Sequence, residues 1–102
     1  MANEVKPAQR LEWIKAWLQA NPREYEISIL HQAFVDAYIE ACKPRWKMMM
    51  YGSHKVPILS QDLSALAKAG FKRMKVDISG QAGEGWPKWV YSYPNPYSLT
   101  NR

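Results

Sequence analysis

Apolar residues in the N-terminal part of the chain recur at helical spacing. Leu11, Ile14, Trp17 and Leu18 make one face, widened by Trp13, while Arg10, Lys15 and Gln19 lie towards the polar side. This spacing predicts an amphipathic helix over residues 7–20. Pro7 fits its first position, and Asn21-Pro22 ends it because a residue before proline avoids the α region. A second helix is predicted over 28–42, with Ile27, Leu30, Phe34, Ala37 or Tyr38, and Ala41 on one stripe. Val35, Ile39 and Cys42 add a second stripe, so this helix should be buried on most sides, with His31 in its middle. The preceding "REYEI" is compatible with an extended segment.

A third helix is predicted over 53–70. Val56, Leu59, Leu63, Leu66 and Ala67 share its apolar side, and His54, Ile58, Gln61, Ala65 and Lys68 the opposite one. Pro57 confines the start to its own neighbourhood, since a missing N–H is tolerated only in the first turn. After Gly70 the period drops to two: Met74, Val76 and Ile78 alternate with Arg73, Lys75 and Asp77. Glycine enters the left-handed region without a Cβ penalty, so the helix stops there and a half-buried strand begins. "FKRMKVDIS" and "WPKWVYSY" then read as two strands joined by the glycine-rich "GQAGEG". The run Trp46–Tyr51, within the connector 43–53, is either a short strand or a last helical turn. The expected organisation is one domain over 1–102, with residues 1–6 and 94–102 as flexible or surface-lying tails.

Composition narrows the class. The 102 residues are 47% hydrophobic and 23% charged, the make-up of a folded chain able to bury one core. No apolar run approaches the ~20 residues that span a bilayer, and "MANEVKPAQR" lacks the apolar centre of a signal peptide. A single cysteine, Cys42, leaves no internal disulfide or multi-cysteine zinc site. No membrane association and a cytoplasmic location are therefore expected. The net charge of +5 favours a polyanionic partner.

Reactive groups are sparse. His31 and His54 lie on different elements, Cys42 reads as core, and Asp36 with Glu40 reads as an exposed helix edge. "GQAGEG" lacks the lysine and hydroxyl residue of a phosphate-binding loop and does not open a helix. No enzyme activity, metal or cofactor is expected.

The element order, three helices and then a hairpin, resembles the winged helix-turn-helix family. The resemblance rests on about residues 50–93 and is best at "LAKAGFKR", where Leu66, Gly70 and Phe71 match the family's recognition-helix ending and entry into the first wing strand. "GSHKV" stands where the family has its turn. The resemblance implies an α+β fold, a three-helix winged helix-turn-helix with a C-terminal β-hairpin wing, and sequence-specific binding of double-stranded DNA by a regulator or accessory factor, as a homodimer.

On that reading the third helix enters the major groove, about 12 Å wide, and reads bases from its N-terminal half. Ser53, His54, Lys55, Ile58 and Gln61 fall there. Gln61 suits adenine, Lys55 guanine or phosphate, and Ile58 a thymine methyl. Lys43, Arg45 and Lys47 before the helix, and Lys72, Arg73, Lys75 and Lys88 in the hairpin, would contact phosphate. The plain alternative is that these side chains are only solvated surface.

A rival reading is a protein-interaction module docking through its aromatic and methionine-rich surface. The weakly charged third-helix face, flanked by Asp62, and a wing tip carrying Glu84 but no lysine or arginine favour it. Trp86, Trp89, Tyr91 and Tyr93 admit three roles: closing the core over the first helix, forming a dimer interface, or stacking on single-stranded bases. "WKMMMY" is either an adaptable contact surface or core filling.

Overall fold

Helix α1 (Pro7–Ala20) and helix α3 (Pro57–Lys68) each begin on a proline, and both bury the apolar face that their spacing defines. They belong to a computed structural model that describes residues 5–44, 48–50, 53–79 and 88–98. Between them lie β1 (Glu26–Ile27), α2 (Gln32–Cys42), β2 (Met48–Met50) and β3 (Ser53–Lys55). After α3 come β4 (Met74–Asp77) and β5 (Trp89–Pro94). The fold is α+β, with three helices and a small antiparallel sheet of order β1-β5-β4, and its layout is compatible with a winged helix. β2 and β3 form a separate two-stranded ladder.

The core gathers from every layer: Ile14 and Leu18 of α1, Phe34 and Tyr38 of α2, Leu59, Leu63 and Leu66 of α3, and Tyr93 of β5 are almost fully enclosed. Trp13 and Trp17 pack over them, Trp17 meeting Phe34 at 5.1 Å in an edge-to-face contact. The α3 stop is a Schellman motif. The Gly70 N–H donates to the Ala67 carbonyl and the Phe71 N–H to that of Leu66, with Gly70 at φ +101°. Phe71 then packs against the core near Leu66, the apolar contact that accompanies such caps.

Four expectations are corrected. α2 starts at Gln32, not 28, because Glu26 and Ile27 are drawn into strand pairing with Pro94 and Tyr93. His31 is therefore not mid-helix: it is the N-cap, its Nδ1 accepting from the Phe34 N–H while Nε2 meets Glu24 at 2.9 Å. α3 starts at Pro57, and Ser53, His54 and Lys55 belong to β3, paired with Met50, Met49 and Met48. Antiparallel pairing satisfies backbone groups that Pro57, lacking an N–H, cannot supply to an upstream helical turn.

The fourth concerns the C-terminal segment. Asn95 and Ser98 are completely buried where a surface-lying tail was expected. The Asn95 amide donates to three carbonyls, those of Leu18, Asn21 and Glu24, at 2.8–3.2 Å. These include the exit from α1, where helix carbonyls lack intrahelical partners. "GQAGEG", Trp86, Arg45 and Lys47 lie outside the described residues.

Candidate nucleic-acid interface

With the helix start at Pro57, the outward face of α3 is short and nearly uncharged. Gln61 is exposed, as are Pro57 and Ser60, and Lys68 closes the last turn. A lysine there suits the negative end of the helix dipole. Ile58 does not project freely: it is half-buried and packs against the core. The proposed base-reading set is thus divided, with Gln61 on the outer face of α3, Ile58 turned inwards, and Ser53, His54 and Lys55 on a neighbouring strand.

The phosphate-contacting set is more coherent. Lys72, Arg73 and Lys75 follow directly from the α3 cap into β4 and are exposed, and Lys88 is exposed at the entry to β5. Lys43 is exposed at the far end of α2, in a left-handed conformation (φ 47°) that closes the helix. Among the described residues from α3 onwards, Asp77 is the sole exposed acid. Glu12, Glu24, Glu26, Asp36 and Glu40 all belong to the half built from α1, β1 and α2. Charge is therefore segregated along the chain, with an excess of cations around the C-terminus of α3 and β4.

Two of those cations rest on aromatic rings of β5. The Arg73 guanidinium lies 4.0 Å from the Tyr91 ring centre, and Lys75 Nζ 4.1 Å from that of Trp89. Such contacts contribute about 0.5–1 kcal/mol at exposed sites and hold the side chains in place while leaving their charge available. Trp89, Tyr91 and Tyr93 share one face as the alternation predicts, meeting edge to face at 5.1 and 6.4 Å. Tyr93 is core, whereas Trp89 is 40% exposed.

Asp62 was expected to flank the outer face of α3. It is instead 5% exposed, on the buried side. Its carboxylate accepts from Arg10 Nε at 2.7 Å and Nη2 at 3.1 Å, and from the Tyr38 hydroxyl. α1, α2 and α3 are thereby tied together behind the exposed face. Sequence reading missed this triad, although the position of Asp62 was a signal: it follows Leu59 by three residues and precedes Leu66 by four, on the apolar stripe.

Burial, and then the bond to Asp62, raises the Tyr38 hydroxyl well above the ordinary phenol range. Burial likewise pushes the Cys42 thiol up from 9.0 to about 11. The unfolded chain releases these protons at their ordinary, lower values, while the folded chain retains them. The Cys42 contribution to stability is complete below pH 9 and is lost as pH rises towards 11, while that of Tyr38 begins to fall only above about pH 10. The urea midpoint should therefore fall across that window. In Cys42→Ala the fall should be shallower, even though the starting stability is lower.

Among the described residues no group of three or more histidine, cysteine, aspartate or glutamate side chains could hold a metal ion, and no helix is long and apolar enough to cross a membrane. No protein-family model, curated protein or solved structure matches the chain.

Proposed function

We propose that the protein is a small double-stranded DNA-binding factor with a winged helix-turn-helix fold, acting by binding rather than by catalysis. The observation that carries this reading is the segregation of exposed charge: among the described residues, Lys68, Lys72, Arg73, Lys75 and Lys88 fall in the α3–β4–β5 half, against Asp77 as its one exposed acid. A row of cations beside an exposed helix face is the electrostatic footprint of a duplex-binding surface. Gln61 would meet base edges and the β4 cations phosphates, while Lys43, Arg45 and Lys47 would extend the contact. One short helix reads only a few base pairs, so a homodimer on paired half-sites is the form in which such a factor would act as a regulator.

The test is fluorescence anisotropy of a labelled duplex across a salt series. Each phosphate contact contributes about 0.9 to the log–log slope. Lys72→Gln combined with Lys75→Gln should therefore flatten the slope by about two, with the far-ultraviolet spectrum unchanged. An unaltered slope, or no binding at low salt, would refute the reading. If Gln61 reads adenine, Gln61→Ala should narrow the gap between specific and random duplex by about 1–3 kcal/mol and leave the slope intact.

A further inference from the structure

β1 pairs with only the end of β5, Glu26 opposite Pro94 and Ile27 opposite Tyr93, whereas β4 pairs with Trp89–Ser92 along the other flank. Main-chain hydrogen bonds fix which way each residue of β5 faces. The Ile78 N–H donates to the Lys88 carbonyl at 2.8 Å, so Lys88, Val90 and Ser92 turn their main-chain groups towards β4. The Asn95 N–H donates to the Tyr25 carbonyl at 2.8 Å, so Asn95, Tyr93, Tyr91 and Trp89 turn theirs towards the β1 side. Beyond Ile27 no strand among the described residues continues that side, so within the described residues the N–H and C=O of Trp89 and Tyr91 have no ladder partner.

That flank opens onto a groove of about 350 Å³. It is lined by Ile29 just past β1, by Ser60 and Ser64 of α3, and by the consecutive residues Trp89, Val90 and Tyr91. Side chains of consecutive strand residues point to opposite faces. Trp89 and Tyr91, with Tyr93, line the groove from one face of the sheet and Val90 between them also reaches it, so the groove borders the stretch of β5 that carries these main-chain groups.

We propose that this slot takes an acidic, extended peptide from a partner protein as an added strand beside β5, in line with β1. A peptide backbone supplies the alternating acceptors and donors that Trp89 and Tyr91 require, which is how an exposed sheet edge captures a chain. Acidic side chains of the guest, at every second position, turn to the ring face, where Arg73 and Lys75 lie over Tyr91 and Trp89 and where Ser60 and Ser64 line the groove. The apolar ones between them turn to the other face, beside Val90. A nucleotide would satisfy the cations and the rings but not the row of main-chain groups. The proposal does not require duplex binding, but Arg73 and Lys75 serve both, so peptide and duplex should compete for them.

The probe is a short fluorescein-labelled peptide alternating valine with glutamate, titrated into the full chain and followed by anisotropy and by amide hydrogen exchange. Binding should protect the Trp89 and Tyr91 amides. N-methylation of alternate peptide bonds in the probe should weaken binding by about tenfold or more, since it removes the guest's donors. Ser64→Trp should weaken the unmodified probe similarly by filling the groove, with duplex affinity retained as the check on folding. If that variant does not fold, the N-methylated probe on the unaltered chain decides alone. Equal binding of the N-methylated probe, or of one with lysine for glutamate, would overturn the proposal. So would failure of the acidic probe to bind, or protection of the same amides by oligothymidylate alone. Absence of duplex binding even at low salt refutes the DNA reading and leaves this result standing.

Discussion

Asp62→Ala should be among the most damaging single substitutions in this chain, lowering unfolding free energy by about 3–5 kcal/mol. Asp62 and Arg10 are 5% and 11% exposed, so the alanine variant leaves a guanidinium enclosed without its carboxylate and strips the Tyr38 hydroxyl of its acceptor. The lost pair is also the polar connection of α3 to both α1 and α2. Asp62→Asn keeps an oxygen for Tyr38 but not the charge, and should fall between alanine and the unaltered chain. Removing both charges, with Arg10→Met and Asp62→Leu together, should recover much of the loss, because the cost of burying two ions disappears with them. Urea unfolding of the four proteins checks the order. If Asp62→Ala lies within about 0.5 kcal/mol of the unaltered chain, the range of ordinary surface changes, the clamp is not what holds α3.

Asn95→Asp should rival it. The amide of Asn95, with no exposed surface, faces three carbonyl oxygens, those of Leu18, Asn21 and Glu24. A carboxylate there would set negative charge against all three, and a buried ion without a partner costs several kcal/mol unless it takes up a proton. Asn95→Asp should therefore be far less stable at neutral pH than at pH about 4, where its protonated form becomes accessible. Asn95→Ala should lose about 1–3 kcal/mol, the penalty of leaving buried acceptors unmet, with little dependence on pH. Thermal unfolding at the two pH values separates the variants. Equal losses at both pH values for Asn95→Asp would mean that the amide is not the essential donor.

The elements most legible in the sequence are those fixed by strong local signals. α1 runs from Pro7 to Ala20 as its proline boundaries predict, and the switch of period at Gly70 is realised as a helix cap followed by a strand, which is mostly exposed where a half-buried one was expected. Signals that depend on distant partners were harder to read. β1 is two residues long and exists only because Tyr93 and Pro94 come to pair with it, so nothing in "REYEI" could fix it alone. Taking Ile27 and Leu30 as helical then placed His31 one turn inside α2, and histidine is not among the usual N-cap residues that would have moved the boundary. The β2–β3 ladder has no Asn-Gly or Asp-Gly pair to announce a hairpin. Its absence from the prediction carried Ser53, His54 and Lys55 onto a helix they do not join. Lys75 lies at the surface as expected, but Met74 beside it is exposed as well, so the alternation of β4 did not mark a half-buried strand there, and the buried role of Asn95 follows from contacts with residues more than seventy positions away.

The enclosure of the Arg10–Asp62 pair also governs how the protein should respond to ionic strength. Mobile ions screen charges that face water and act much less on charges shielded from it. Added salt should thus weaken whatever anion sits on Lys72 and Lys75 while leaving the scaffold behind them undisturbed. A polyanion held there would be released without loosening the helices, and the melting temperature of the unliganded chain should stay nearly constant over the same salt range.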